Sequence, residues 1–194
     1  PLSLIEGAWI EEIRNPLAAV PTTSIVEDIR KQYRSIDVAN LWAAKKRSSL
    51  ALNRALEKDL CLINYESFRT IDKKLAAANF EMVIIDESAR FCSPKSSVSK
   101  KILEFCDDVQ YVYELSGVPA PNSMLDYWTQ IRVLDPLLCG KSYCKFRTKY
   151  FYPSEYGGYT WYVKPEYKNR LIEDIKSVAE YVSKDDVLDL PERT

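Results

Sequence analysis

The sequence contains no histidine, and that absence removes a large part of enzyme chemistry. Without imidazole there is no histidine general base, no serine–histidine pair and no histidine metal ligand. Glycine is scarce too, 5 in 194 residues, few for a chain whose loops must wrap phosphate. The cysteines (Cys61, Cys92, Cys106, Cys139 and Cys144) form no CxxC pair, and Cys139 and Cys144 have no histidine to complete a zinc site. Their odd number and scatter point to reduced thiols in a cytosol-like compartment. No apolar run approaches the roughly 18 residues of a membrane span, and no signal peptide is visible. The first residue is Pro1 rather than methionine, which raises the expectation of a piece of a longer protein.

What is present is ordinary in bulk. Hydrophobic residues make up 46% and charged residues 28%, as in a globular domain, so a disordered, collagen-like or coiled-coil chain is excluded. The net charge of -1 argues against bulk attraction to nucleic acid, but the charge is uneven. Ser88 to Leu103 carries Arg90, Lys95, Lys100 and Lys101 with no acid. Pro136 to Ser154 carries Lys141, Lys145, Arg147 and Lys149, again with no acid, whereas Glu173 to Thr194 is acidic. A basic middle fits one face meeting a polyanion. It also fits solvated helices, the plainer reading.

Short apolar runs alternate with helical stretches, the pattern of an α/β domain with a largely parallel sheet. The strand-like runs are Asp37–Leu41, Leu60–Ile63, Met82–Ile85 and Tyr111–Leu115. Met82–Ile85 is apolar throughout, which predicts a strand covered on both faces. Helical stripes are Ile25, Ile29 and Tyr33; Leu52 and Leu56 after a Ser48 cap; and Val98, Ile102, Leu103 and Cys106. Two more are Leu125, Trp128, Ile131 and Leu134, then Leu171, Ile175, Val178 and Val182, with Pro165 suiting the first turn of the last helix. Gly157-Gly158 marks a turn before a short strand near Tyr159 to Val163. Tyr143 to Tyr167 holds ten of the 23 aromatics, interleaved with Lys and Arg. Such a mixture can stack bases, but packing of a small subdomain is the preferred reading.

The strand Met82–Ile85 ends in Asp86-Glu87, putting two carboxylates at the C-terminal edge of a parallel sheet, where such folds bind ligands. Phosphoryl transfer needs one carboxylate to help hold Mg²⁺ and a second group to orient the attacking water. Asp86 suits the first role and Glu87 the second. A solvated acidic pair is the plain alternative, and Glu27-Asp28, Asp107-Asp108, Glu173-Asp174 and Asp185-Asp186 are other such pairs. Only Asp86-Glu87 directly follows a four-residue apolar run.

About 30 residues on, after Leu115, stands Ser116-Gly117-Val118-Pro119-Ala120-Pro121-Asn122, then Leu125-Asp126-Tyr127-Trp128. This order resembles the first RecA-like motor lobe of superfamily 2 helicase-like ATPases of the Swi/Snf type, most closely the phage-encoded members. There an Asp-Glu box is followed by a [Ser/Thr]-Gly-Thr-Pro loop, then Asn and a helix with Leu-x-x-Trp. The likeness covers nearly the whole chain. Pro1-Leu2-Ser3 with Trp9, Glu12 and Ile13 looks like a DNA-contacting segment, and Ile63-Asn64-Tyr65-Glu66 like the next DNA-facing box. Gly140 to Phe151 resembles the Phe-Arg-x-x-Tyr-Phe helix, and Val187-Leu188-Asp189-Leu190-Pro191 the close of the lobe.

The resemblance implies an α/β, RecA-like, largely parallel sheet flanked by helices, N-terminally truncated, with a small aromatic-rich C-terminal extension. The implied division is 1–140 for the partial ATP-binding lobe and 141–194 for the extension. It implies ATP and Mg²⁺ as cofactors, Glu87 and Asp86 as catalytic groups, and Asp86, Ser116 and Gly117 at the nucleotide. Double-stranded DNA is the implied partner, met by Ser3, Asn64, Tyr65, Ser116, Asn122 and Lys141, together with a second RecA-like lobe. No membrane is implied; the compartment would be the cytoplasm, of a host if the protein is phage-encoded. Cys139-Gly140-Lys141-Ser142 ends like a P-loop, but Asp135 stands where the first glycine belongs, Pro136 interrupts it and no strand immediately precedes it. The family's P-loop comes before the Asp-Glu box and is expected upstream of Pro1, so Lys141 reads as a surface or DNA-backbone lysine. Two departures stand out: Val118 replaces the usual threonine, and Cys92 a lysine common in phage relatives. Two other readings stay open, a non-catalytic nucleic-acid-binding domain and a lobe of a single-strand or RNA helicase.

Overall fold

The computed structural model describes residues 36–42, 48–155 and 160–182, divided between two units, Pro1–Phe80 and Glu81–Thr194. The Ile25–Tyr33 stripe, the Gly157-Gly158 turn, Ser3 and the Val187–Pro191 close lie outside the described residues.

In the first unit, β1 (Val38–Asn40) pairs in parallel with β2 (Leu60–Leu62), Val38 opposite Leu60 and Asn40 opposite Leu62. Between them lies α1 (Ser49–Leu56), whose first turn is closed as expected, the Ala51 N–H donating to Ser48 Oγ at 3.2 Å. Leu52 and Ala55 supply its buried face. Helix α2 (Tyr65–Ala76) follows β2 and buries Phe68, Ile71 and Leu75, one stripe at helical spacing. Glu66 in its first turn and Lys73 and Lys74 in its last complement the helix dipole.

In the second unit, β3 (Met82–Asp86) and β4 (Tyr111–Leu115) form a parallel pair in register from Met82 opposite Tyr111 to Asp86 opposite Leu115. A parallel pair needs a crossover. Here it comprises a 3-10 turn (Ser88–Phe91) and α3 (Ser97–Cys106), capped by Ser96. The expectation that β3 is covered on both faces is overturned. Val83 and Ile85 face inward, while Met82 and Ile84 are each 50% exposed, beside Tyr111, Tyr113 and Leu115 of β4 at 47%, 53% and 47%. An unbroken apolar run specifies two apolar faces; whether both are covered depends on what packs against them.

A short 3-10 turn (Met124–Asp126) leads into α4 (Tyr127–Leu134), α5 (Pro136–Cys139), α6 (Tyr143–Tyr150), the antiparallel pair β5 (Phe151–Pro153) and β6 (Trp161–Val163), and α7 (Pro165–Val178). Pro165 occupies the first turn of α7, as expected. The stripe does not run on to Val182, however: Ala179 turns extended at φ -136 and Val182 is exposed. The core of this region joins Trp128, Ile131, Cys139, Phe146, Tyr150, Phe151 and Leu171. The aromatic stretch therefore packs. Phe146 meets Tyr150 at 5.0 Å between ring centroids, Tyr150 meets Tyr167 edge-on at 5.4 Å, and the Arg147 guanidinium lies 4.2 Å from the centre of the Trp161 ring.

Candidate active site

Asp86 is the last residue of β3, at the C-terminal edge of the parallel pair, and both Asp86 and Glu87 are exposed. The chain reverses at once. Glu87 sits in the left-handed region, φ 53 and ψ 51, which costs a non-glycine residue about 1–2 kcal/mol. The Glu87 N–H donates to Asp86 Oδ1 at 2.9 Å, and the Arg90 N–H to the Glu87 carbonyl at 3.0 Å. The turn is then stapled from two helices. Ser99 of α3 donates to the Phe91 carbonyl at 2.7 Å, and Thr129 of α4 to the Cys92 carbonyl at 2.9 Å. Phe91, wholly buried, anchors it below.

The second edge loop leaves β4 beside this turn, because Leu115 is the register partner of Asp86. Ser116 and Gly117 open that loop. Ser116 Oγ is buried and has no hydrogen-bond partner. Farther along, the Asn122 N–H and Nδ2 both donate to Asp126 Oδ2, at 2.9 and 3.1 Å, and Asp126 forms a capping box with Ser123. The Gln130 amide of α4 donates to the Pro119 carbonyl. Asp86, Glu87, Ser116 and Gly117 thus lie together on one sheet edge, with Asn122 on the same loop as the last two.

The other candidates are placed separately. Asn64 caps α2, its Oδ1 accepting from the Ser67 N–H at 3.0 Å, and Tyr65 opens the helix; both belong to the first unit. Lys141 is exposed after α5. The segment around it is not a phosphate loop: Pro136–Cys139 is helical, Gly140 turns at φ 72 and Ser142 caps α6. The buried Cys106 and Cys139 thiols are each pushed up to about 12, chiefly by burial, so neither is a nucleophile near neutral pH.

Three polar residues at the site were not singled out by sequence reasoning: Ser88, Glu114 and Gln130. The alternation of β4 turns Glu114 to the covered face, opposite Ile85. Burial raises its carboxyl to about 8, a hydrogen bond with Ser88 pulling it partway back. The available signal was a lone acid at an inward position of an otherwise apolar and aromatic strand.

An α/β unit whose parallel strands carry a paired-carboxylate turn beside a Ser-Gly loop has the layout of a RecA-like lobe. The solved Sulfolobus solfataricus SWI2/SNF2 ATPase core in complex with dsDNA has the same fold: 98% of this chain superposes on 39% of that chain, with a TM-score of 0.64 and 20% identity. The chain belongs to the SNF2-related domain family, whose model matches residues 1–194. A curated relative is the SWI/SNF-related matrix-associated actin-dependent regulator of chromatin subfamily A-like protein 1 of Xenopus laevis. It is 36% identical over 77 residues, 39% of this chain and 8% of the relative.

Proposed function

We propose that the chain is the first lobe of an ATP-dependent DNA translocase, related most closely to the phage-encoded members of its family. The carrying observation is the sheet edge, where β3 and β4 bring the Asp86-Glu87 turn beside the Ser116-Gly117 loop. Family membership and the likeness to a core solved with dsDNA support the same reading.

The donor set suits a magnesium nucleotide. Mg²⁺ is held by one or two carboxylates plus substrate phosphates rather than by an all-protein cage. Among the described residues no cluster of three or more carboxylate or thiol side chains forms a cage. Asp86 is the exposed carboxylate for that role, and the unpartnered Ser116 Oγ suits a phosphate oxygen. The bound ion would neutralise charge building on the transferred phosphoryl group. Glu87 would orient and polarise the attacking water; its left-handed backbone sets that carboxylate off the strand direction. Gly117 would admit the nucleotide closely. A P-loop upstream and an arginine from a second lobe would complete the site. Ser3, Asn64, Tyr65, Ser116, Asn122 and Lys141 would touch the DNA backbone, which positions the duplex without reading sequence. Residues 1–140 would then be most of the lobe and 141–194 its closing extension. By itself the chain would turn over negligible ATP, and the motor would work in the cytoplasm, a host's if phage-encoded.

The test is a coupled ATPase assay on the intact polypeptide, with and without double-stranded DNA. Glu87→Gln is expected to lower the DNA-stimulated kcat by roughly 10²-fold or more. An undiminished rate would sink the role.

A further inference from the structure

Three polar side chains from distant parts of the chain meet beneath the two edge loops. Ser88 begins the turn after Glu87, Glu114 faces inward from β4, and Gln130 comes from α4; Ser88 and Gln130 are 1% and 5% exposed. The Ser88 hydroxyl donates to Gln130 Oε1 at 3.2 Å, and Gln130 Nε2 donates to the Pro119 carbonyl. Glu114 lies beside the same Ser88 hydroxyl, and its Oε1 is buried with no partner.

Counting hydrogens gives this chain a direction. A carbonyl can only accept, so Pro119 fixes the amide with its nitrogen toward the loop and its oxygen toward Ser88. Ser88 must therefore donate to Gln130, and a hydroxyl has only one hydrogen. Burial disfavours the Glu114 carboxylate, while its contact with Ser88 favours it.

We propose that Gln130 is a positioning residue, holding the Asp86-Glu87 turn and the Ser116–Pro119 loop in fixed relation through its bonds to the Ser88 hydroxyl and the Pro119 carbonyl. What the coupling serves rests on the function proposed above; the coupling itself does not.

Amide hydrogen exchange on the 194-residue chain reads the coupling without any ATPase. Gln130→Leu keeps the size and removes both bonds. It is expected to speed exchange by roughly ten-fold or more in 87–92 and 116–122 together. Ser88→Ala removes only the bond to Gln130 Oε1 and is expected to loosen the 87–92 turn. Loosening of one loop alone in Gln130→Leu, or an unchanged 87–92 turn in Ser88→Ala, overturns the proposal. In the intact polypeptide, Gln130→Leu is expected to lower DNA-stimulated kcat by roughly ten-fold with KM for ATP little changed. An unchanged kcat there overturns the positioning role. Failure of the Glu87→Gln test would end the proposed reaction and leave the exchange result standing.

Discussion

Glu114 and Glu87 show how differently one residue type is used within this site. Glu114 lies inside, and the fold favours its neutral form. Its folded value is about 8 against an ordinary 4.5, so between those limits the folded chain keeps a proton that the unfolded chain has released. The contribution to stability is therefore complete below about pH 4.5 and is lost as the pH rises through about 8. Urea midpoints are expected to fall from about pH 5 to about pH 9, and Glu114→Gln is expected to flatten that dependence. Glu87 lies outside, on strained backbone. Asparagine tolerates the left-handed region better, so Glu87→Asn is expected to stabilise the chain by up to about 1 kcal/mol while abolishing the proposed catalysis. A thermal melt beside the ATPase assay checks both halves.

Among the elements, α2 and α4 bear the clearest consequences. Asn64 is spent on capping α2 through Oδ1, whatever else its amide does. Asn64→Ala is expected to cost about 1 kcal/mol in urea unfolding, with Asn64→Ser restoring most of it. That isolates the cap from any DNA contact, because serine restores the helix start without the amide. Helix α4 is more unusual for the polar groups it buries: Thr129, Gln130 and Arg132 are all buried. Each has a partner, Thr129 at the Cys92 carbonyl, Gln130 at Ser88 and Pro119, and Arg132 at Asp107 2.7 Å away. Asp107→Asn would leave the Arg132 charge without its counter-ion and is expected to cost roughly 2–4 kcal/mol, read from the same urea curves.

For the whole molecule, the proposed function turns on what the chain does without further lobes. Its net charge is -1, and the basic stretches lie in a background of acids. DNA binding by the chain alone is therefore expected to be weak. Filter binding at two salt concentrations tests this; tight, steeply salt-dependent binding would favour a self-sufficient nucleic-acid-binding domain instead. The five half-exposed apolar and aromatic residues on the outer face of β3 and β4 form an open apolar surface.

The sequence by itself determined where most elements of this protein fall and that an acidic pair ends one of its strands. Apolar alternation, Ser48, Pro165 and the Asp86-Glu87 box after a strand act over a few residues, so their consequences can be read locally. The same holds for the ordered boxes that resemble the SNF2-related family to which the chain belongs. The tertiary structure decided which strand face stayed open and that α7 stopped at Val178. It also decided that Ser88, Glu114 and Gln130 would meet. That meeting depends on contacts across 26 and 42 positions of chain, Ser88 to Glu114 and Ser88 to Gln130. A glutamate in a strand is neutral or ionised according to what surrounds it, and only the packed fold supplies those surroundings.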